Sequence, residues 1–593
     1  MASRFVVGVD LGTTNSVVAA IDTQAEFEAD APPLRVLPVP QLVKPGEVAA
    51  RDRLPSFLYL PAEGELAPAS LELPWGRAAH VVGELARARG AEVPARVVAS
   101  AKSWLSQRTA DATAPLLPFD APPDVARVSP LAASAAYLAH LRAAWDATMP
   151  EPLGAQDVYL GVPASFDAAA RELTTRAAAE AGLPNAHLVE EPQAAFYAWL
   201  ASTGGGWRRD VRVGDVVLVI DVGGGTTDFS LVAVGEERGE LVLERKAVGD
   251  HILLGGDNMD LALAHAVRAT LAAAGTALDD WQFRALAHAS REAKEKLLAG
   301  TGRDEEPVVV LGRSRKVIGG AVKTQVTRAD VETALLDGFF PVVPADDRPR
   351  AARRIGLQEL GLAYAADPAV TRHVAAFLGR HRDVAPAGPT AVLFNGGVMK
   401  APLLRRRLVE VLDAWRGGAG GVRVLREAHP DLAVAEGAAA YGLARRGRGV
   451  RIRGGTARAY YVGVETAAPA VPGVPAPVKA LCVAPFGMEE GSETDVPGVE
   501  FGLVVGEPAE FRFFGSSVRR ADRPGAVLEP SEVGELEELR PIEATLSGDG
   551  EADRAVPVRL RARVTELGTL ELWCVAREGE RRWKVELNVR QQS

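Results

Sequence analysis

The chain has 593 residues, 47% of them apolar and 24% charged, with 67 Lys and Arg against 77 Asp and Glu, a formal net charge of −10. At roughly 150 residues per domain this length holds about four domain-sized units, and the acidic balance argues against nucleic acid as the main partner. No run approaches the roughly 18 apolar residues of a membrane span, and no charged leader precedes the first strand, so neither a membrane segment nor a secretory signal is expected.

The first expected element is an apolar strand from Phe5 that reaches Asp10, turns through Gly12-Thr13-Thr14-Asn15 and leaves as a second apolar strand. Residues 24–50 read as a Pro-rich loop. A helix is expected after Pro163, near 167–181, closing at Gly182, a residue suited to the left-handed turn past a helix end. Near 216 the opening phrase recurs: Val-Val-Leu-Val-Ile leads to Asp221, then Gly223-Gly224-Gly225-Thr226-Thr227-Asp228 and another apolar strand. A second helix is expected near 283–299, closing at Gly300. A third starts at Pro402 with Leu404, Leu408, Val411 and Trp415 at helical spacing, and its Arg405-Arg406-Arg407 reads as a solvated face.

Character changes at Arg445-Arg446-Gly-Arg448-Gly. Beyond a Pro-rich loop at 465–479, strand alternation takes over. Val558, Leu560, Ala562 and Val564 alternate with arginines, Leu570, Leu572 and Cys574 keep the same period, and Trp583, Val585, Leu587 and Val589 follow a turn at Arg577-Glu-Gly579-Glu. This part reads as an antiparallel β domain. Cys482 and Cys574 lie in apolar strand-like stretches, so buried free thiols in a reducing cytoplasm are expected rather than a disulfide.

A Gly-Thr-Thr turn by itself is an ordinary hairpin. The repetition changes its meaning, because chance hairpins have no reason to share both an aspartate and paired threonines. Glycines let the backbone approach a phosphate, threonines add hydroxyl donors, and each aspartate could hold a hydrated Mg²⁺. Two such hairpins facing each other would clamp a nucleotide between two lobes.

These and further ordered motifs resemble the heat shock protein 70 (DnaK-like) chaperone family. They are Asp10-Leu-Gly-Thr-Thr-Asn15-Ser, Asp52-Arg53-Leu-Pro55-Ser56, Val162-Pro163-Ala164-Ser-Phe166 with Arg171 and Glu190-Glu191-Pro192, Gly255-Gly256-Asp-Asn-Met-Asp260, Val326-Thr327-Arg328, Asn395-Gly396-Gly397-Val-Met-Lys400, and His429-Pro430-Asp431 with Ala433–Ala438. The resemblance implies an α/β fold: a two-lobed actin-like (ribonuclease H-like, duplicated) ATPase domain at 1–446, a linker at 447–455 and a C-terminal antiparallel β-sandwich at 456–593. It implies ATP or ADP with Mg²⁺ and a potassium ion. It assigns Lys102, Glu191, Thr226 and Asp228 to catalysis, and Asp10 and Asp221 to the metal through water. Gly12, Thr13, Thr14, Asn15, Gly223, Gly224, Gly225, Thr226, Thr227, Lys294, Gly396, Gly397 and Lys400 would contact nucleotide, and Pro163 with Arg171 would relay between lobes.

The chain also departs from the family pattern. Arg291 and Leu298 stand at two base-contacting positions, and Lys400 replaces an arginine whose planar guanidinium could stack on the base. Residues 341–388 read as an Arg-rich insertion where nucleotide-exchange factors dock in the family. His187, Glu190 and Gln193 replace the usual J-domain contacts. The linker Arg448-Gly-Val-Arg-Ile-Arg-Gly-Gly455 is basic, and no helical lid is expected before Ser593.

The implied function is an ATP-hydrolysing chaperone-like protein that binds unfolded or extended polypeptide, with Leu481, Val483, Phe486, Val499, Phe501, Phe511 and Phe513 either lining pockets or forming core. The alternatives are a nucleotide-gated scaffold for a dedicated protein partner and, less well supported by the motifs, a small-molecule kinase of actin and sugar-kinase architecture.

Overall fold

The computed structural model describes residues 3–588 except 29–30, 79, 108–109, 120, 124, 165, 238, 250–251, 300–301, 311–320, 352–361, 363, 418–420, 427–428, 453–455, 457, 467–476, 490, 499, 517, 520, 540, 547–554, 566–568 and 580. The expected helix stop at Gly300, the end of the basic joint at Gly455, the pocket candidate Val499, strand residue Val589, Ser593, and parts of segments 24–50, 341–388 and 465–479 lie outside the described residues; within 24–50 the expected loop is corrected, since Val39–Lys44 and Glu47–Arg51 pair as an antiparallel hairpin. The chain divides into two compact units, Met1–Leu241 with Ala247–Arg451, and Val242–Lys246 with Ile452–Ser593.

The first unit is built on two sheets of mixed strand direction. In the first, β1 (Phe5–Leu11) and β2 (Asn15–Asp22) form an antiparallel hairpin, with Asp10 opposite Val17. A five-residue helix, α1 (Ala101–Leu105), follows in the chain. Then β3 (Asp157–Val162) runs parallel to β1. After α2 (Ala168–Glu180), β4 (His187–Glu190) runs parallel to β3 and leads directly into α3 (Glu191–Ser202).

The second sheet repeats the plan. Here β5 (Val216–Val222) and β6 (Thr227–Glu237) form the hairpin. After a further strand, Glu240–Val248, come two helices, α4 (Gly256–Ala273) and α5 (Asp280–Leu298). Then β7 (Ala391–Asn395) runs parallel to β5. Every residue of β5 is buried, as a central strand covered on both faces requires. The internal repeat in the sequence is thus a repeat of hairpin plus parallel neighbour.

Two later helices are α6 (Pro402–Trp415) and α7 (Ala433–Arg445). Although α3 leaves the first sheet, it packs on β5, β6 and β7 of the second, and α7, arriving after the second sheet, packs on β1, β2 and β3 of the first. The two helices cross where a methyl at Gly437 would come within 1.7 Å of the Ala194 carbonyl, so only glycine permits the approach.

Helix α2 begins at an Asp167 cap and ends at Gly182 with φ 86°, as expected. Helix α5 starts earlier than expected, at a capping box in which Asp279 and Gln282 each accept the other's backbone N–H. The solvated face expected at Arg405-Arg406-Arg407 is corrected. Arg407 donates to the Phe340 carbonyl at 3.0 Å and Arg405 to that of Met399, and Arg406 alone is exposed. Long aliphatic stems let these arginines cover apolar surface and still reach backbone acceptors.

In the second unit every recorded pairing is antiparallel. One sheet has the order 527–528, 478–484, 459–465, 513–516, 537–538, and another the order 492–495, 555–564, 569–576, 582–588. Their inward residues share one core, with Tyr460, Val462, Leu481, Val483 and Phe513 from the first and Leu560, Leu572, Cys574, Trp583 and Val585 from the second. Of the proposed pocket residues, Leu481, Val483 and Phe513 are therefore core, while Phe486, Phe501 and Phe511 are half-buried. Cys482 and Cys574 are free and buried, and burial pushes their thiols up to about 12 and about 11. Among the described residues no helix is long and apolar enough to cross a membrane.

Candidate nucleotide site

The two Gly/Thr turns meet face to face. The second is closed by Gly223 N–H donating to Thr226 O at 2.9 Å. A methyl at Gly224 would lie 2.3 Å from Thr14 Oγ1, and one at Gly225 would lie 2.5 Å from Ser103 Oγ and 3.2 Å from Thr13 Cγ2. At Gly224 the opposite turn already occupies that space, and at Gly225 Ser103 of α1 does so together with Thr13. In the first turn the Gly12 carbonyl accepts from Ser56 Oγ at 2.7 Å, and Asn15 opens β2 opposite Pro55.

Carboxylates collect where the hairpins converge. Asp10 lies next to last in β1, before the buried Leu11, and Asp221 on β5 faces Asp228 across the β5–β6 register. Asp221 accepts from Asn395 Nδ2 at 2.7 Å. Desolvation, reinforced by the charges of Glu191, Asp228 and Asp10, holds the Asp221 carboxyl well above the usual range. Asp10 is raised too, by desolvation first, against the pull of Lys102. Gly396 sits beside Asp221 with φ 87°, and a methyl there would lie 2.3 Å from the Val222 carbonyl. Gly397 follows it into a short 3₁₀ turn ending at Lys400.

Lys102 on α1 is 4% exposed and forms an ion pair with Glu191, the first residue of α3. The residues expected to do chemistry are thereby gathered from α1, α3 and both hairpins. Thr226 is buried at the turn. Thr227 is turned into its own half, its hydroxyl donating to Leu254 O at 2.7 Å and its N–H to Ile252 O at 3.0 Å.

Lys294 and Lys400 are both engaged by carboxylates. Lys294 Nζ pairs with Asp260 at 2.6 Å, and Arg291 pairs with Asp260 (2.6 Å) and with Asp257. Leu298 packs on the core of the second half. Lys400 shares Asp431 with Arg53, which comes from the first half. Within 341–388, Arg372 pairs with Asp347 (2.9 Å) and Asp367 (3.2 Å). On α2, Arg171 donates to Ala164 O at 3.1 Å and pairs with Glu190 at 3.4 Å, both side chains buried. Gln193 is also buried, while His187 is exposed and stacks on Tyr159. Two of the three positions read as docking residues therefore face inward.

Arg53, Asp257, Asn395 and Asp431 lie inside the sequence motifs but carry no expected role there, and Ser100 and Ser103 lie outside them. An aspartate within a motif is a signal that can be found. A lone serine before a short helix is not.

Among the described residues no three His, Cys, Asp or Glu side chains are gathered tightly enough to ligate a metal directly. Mutually repelling carboxylates on facing hairpins do suit a cation that keeps its own water shell, as Mg²⁺ does.

A pair of facing Gly/Thr turns, a buried lysine–glutamate pair and two crossing helices make up this site, and residues 74–338, which include much of it, match the family model described as Hsp70 protein. The chain is similar to "Chaperone protein HscA homolog" of Bordetella pertussis, 30% identical over 448 residues, covering 74% of this chain and 57% of the relative. It is also similar to the protein of the same name from Bordetella petrii (29%, with 74% and 57% covered) and to "Chaperone protein HscA" of Enterobacter sp. strain 638 (33%, with 45% and 38% covered). The chain thus spans little more than half the length of the first two relatives.

Proposed function

We propose that residues 1–446 form a two-lobed, actin-like ATPase, joined by 447–455 to a β-sandwich at 456–593 that takes extended polypeptide under control of the nucleotide. The observation that carries this reading is the Lys102–Glu191 pair set between two facing Gly/Thr turns. ATP would lie with its phosphates between Gly12–Asn15 and Gly223–Thr226 and its base toward Lys294 and the Gly396–Lys400 turn. Asp10 and Asp221 would hold Mg²⁺ through water, and the ion would supply charge neutralisation on the phosphates. Glu191, Thr226 and Asp228 would orient the attacking water, and Lys102 would offset charge on the γ-phosphoryl group, chemistry that depends on positioning more than on a strong base. ATP hydrolysis of this kind fits a slow enzyme in a reducing cytoplasm, where free buried thiols persist.

The second reading, a nucleotide-gated scaffold for a dedicated partner, draws support from the inward-facing Glu190 and Gln193. A J-domain co-chaperone or exchange factor working on this chain would need other contacts.

The test is single-turnover hydrolysis by the full chain with and without an unfolded polypeptide, in K⁺ and in Na⁺. Stimulation by polypeptide is the expected result, and a faster rate in K⁺ is the expected mark of the potassium ion. Lys102→Ala and Thr226→Ala should each slow turnover by about 10²–10³ with nucleotide affinity retained. Normal turnover per bound nucleotide in Lys102→Ala would remove the lysine from the chemistry. A rate indifferent to polypeptide would favour the scaffold.

A further inference from the structure

We propose that Ser100 is a positioning residue for Lys102, fixing the lysine to the second phosphate turn through a hydrogen bond across the cleft. The inference rests on the hydrolytic reading above.

Ser100 lies two residues before the lysine, with φ 54° and ψ 29°, and among the described residues it is the single non-glycine with positive φ. That region is unfavourable for a serine, which lacks the asparagine amide that eases it. The same residue starts the helix, since its carbonyl accepts from Ser103 N–H at 3.0 Å. Helix α1 has five residues, too few to hold its own direction cooperatively. The backbone at Ser100 therefore sets where Lys102 points.

Something outside the segment must hold that backbone. Ser100 Oγ donates to Asp257 Oδ2 at 2.6 Å, reaching from the first half of the unit to the second. Asp257 is itself fixed on two sides: its N–H donates to Gly224 O at 2.8 Å, and its other carboxylate oxygen takes Arg291. A continuous line then runs from Gly224 through Asp257 and Ser100 to Lys102. When the second turn closes on a phosphate, the lysine is held with it in its pair with Glu191. When the turn withdraws, Ser100 loses the partner that pays its unfavourable backbone, and α1 relaxes.

The test compares full-length wild type with Ser100→Gly, Ser100→Asn, Asp257→Ala and the Ser100→Gly/Asp257→Ala double variant, measuring nucleotide affinity and single-turnover hydrolysis. Glycine removes the hydroxymethyl group that makes the bond yet accepts the left-handed backbone, which separates loss of the bond from a folding defect. Ser100→Gly should slow turnover at saturating ATP about ten-fold, the value of a hydrogen bond to a charged group, with affinity changed less than about two-fold. Asparagine tolerates the conformation and brings an N–H donor, so Ser100→Asn should recover most of the rate. The double variant should be no slower than the slower single variant, the mark of two groups acting as one. If wild type hydrolyses ATP and Ser100→Gly matches it, or if the losses multiply in the double variant, the assignment is overturned while the ATPase reading stands. A wild type that does not hydrolyse ATP overturns both.

Discussion

His140 lies 8% exposed in the helix Pro130–Thr148, its Nε2–H donating to the Pro40 carbonyl at 2.9 Å and its ring edge-on to Trp75. Burial pushes its pKa down to about 4, with the backbone bond opposing. The fold therefore keeps the neutral form while the unfolded chain takes a proton near pH 6.5. The stability this gives is fully present above that value and is lost as pH falls from about 6.5 to about 4, roughly 3 kcal/mol in all. Urea midpoints measured from pH 7 to 4 should fall more steeply for wild type than for His140→Gln, and parallel curves would show that another group carries the acid sensitivity. The same scale shows what sequence could and could not tell. Lys102 was legible because a series of ordered motifs surrounds it. Ser100 was not, because its role lies in a dihedral angle and in a partner 157 positions away.

Two helical glycines carry opposite expectations at the level of elements. A methyl at Gly437 in α7 meets the Ala194 backbone at 1.7 Å, and backbone cannot yield as a side chain can. At Gly379, near the exposed end of the helix Val370–Arg380, a methyl meets nothing within 4 Å. Gly437→Ala should cost roughly 3 kcal/mol through overpacking. Gly379→Ala should add about 0.5–1 kcal/mol by restricting the unfolded chain. Urea denaturation of both decides the matter, and a neutral Gly437→Ala would mean that the helices can part. The hairpins were readable because strand, aspartate and turn recur in order. The helix Pro130–Thr148 escaped notice because its alanines give no contrast between faces, and the early start of α5 was hidden in a cap, not in periodicity.

For the whole molecule, two compact units in one chain should unfold in two heat-absorption transitions. A ligand that binds one native unit stabilises that unit by mass action, about 2.7 kcal/mol at a hundred-fold excess over Kd. Mg-ATP should therefore raise the transition of the larger unit by a few degrees in calorimetry. A shift confined to the smaller transition would place the nucleotide elsewhere. The change to a second unit dominated by antiparallel strands was readable from alternation, whereas the half-burial of Phe486, Phe501 and Phe511 beside fully buried neighbours follows from how two sheets close on each other, which no single strand encodes.

The exchange of helices between sheets also sets a timetable for the ribosome. Strand β1 is made first, yet the helix that covers it, with Ala435 and Ala439 lying against Gly8, is made more than 400 residues later. At about 5–20 residues per second, that face of the first sheet stays bare for roughly 20–90 s of synthesis. During that interval Val6, Val17 and Ala19 form an open apolar surface on a tethered nascent chain. A protein whose relatives are called chaperones is, while being made, itself in need of one.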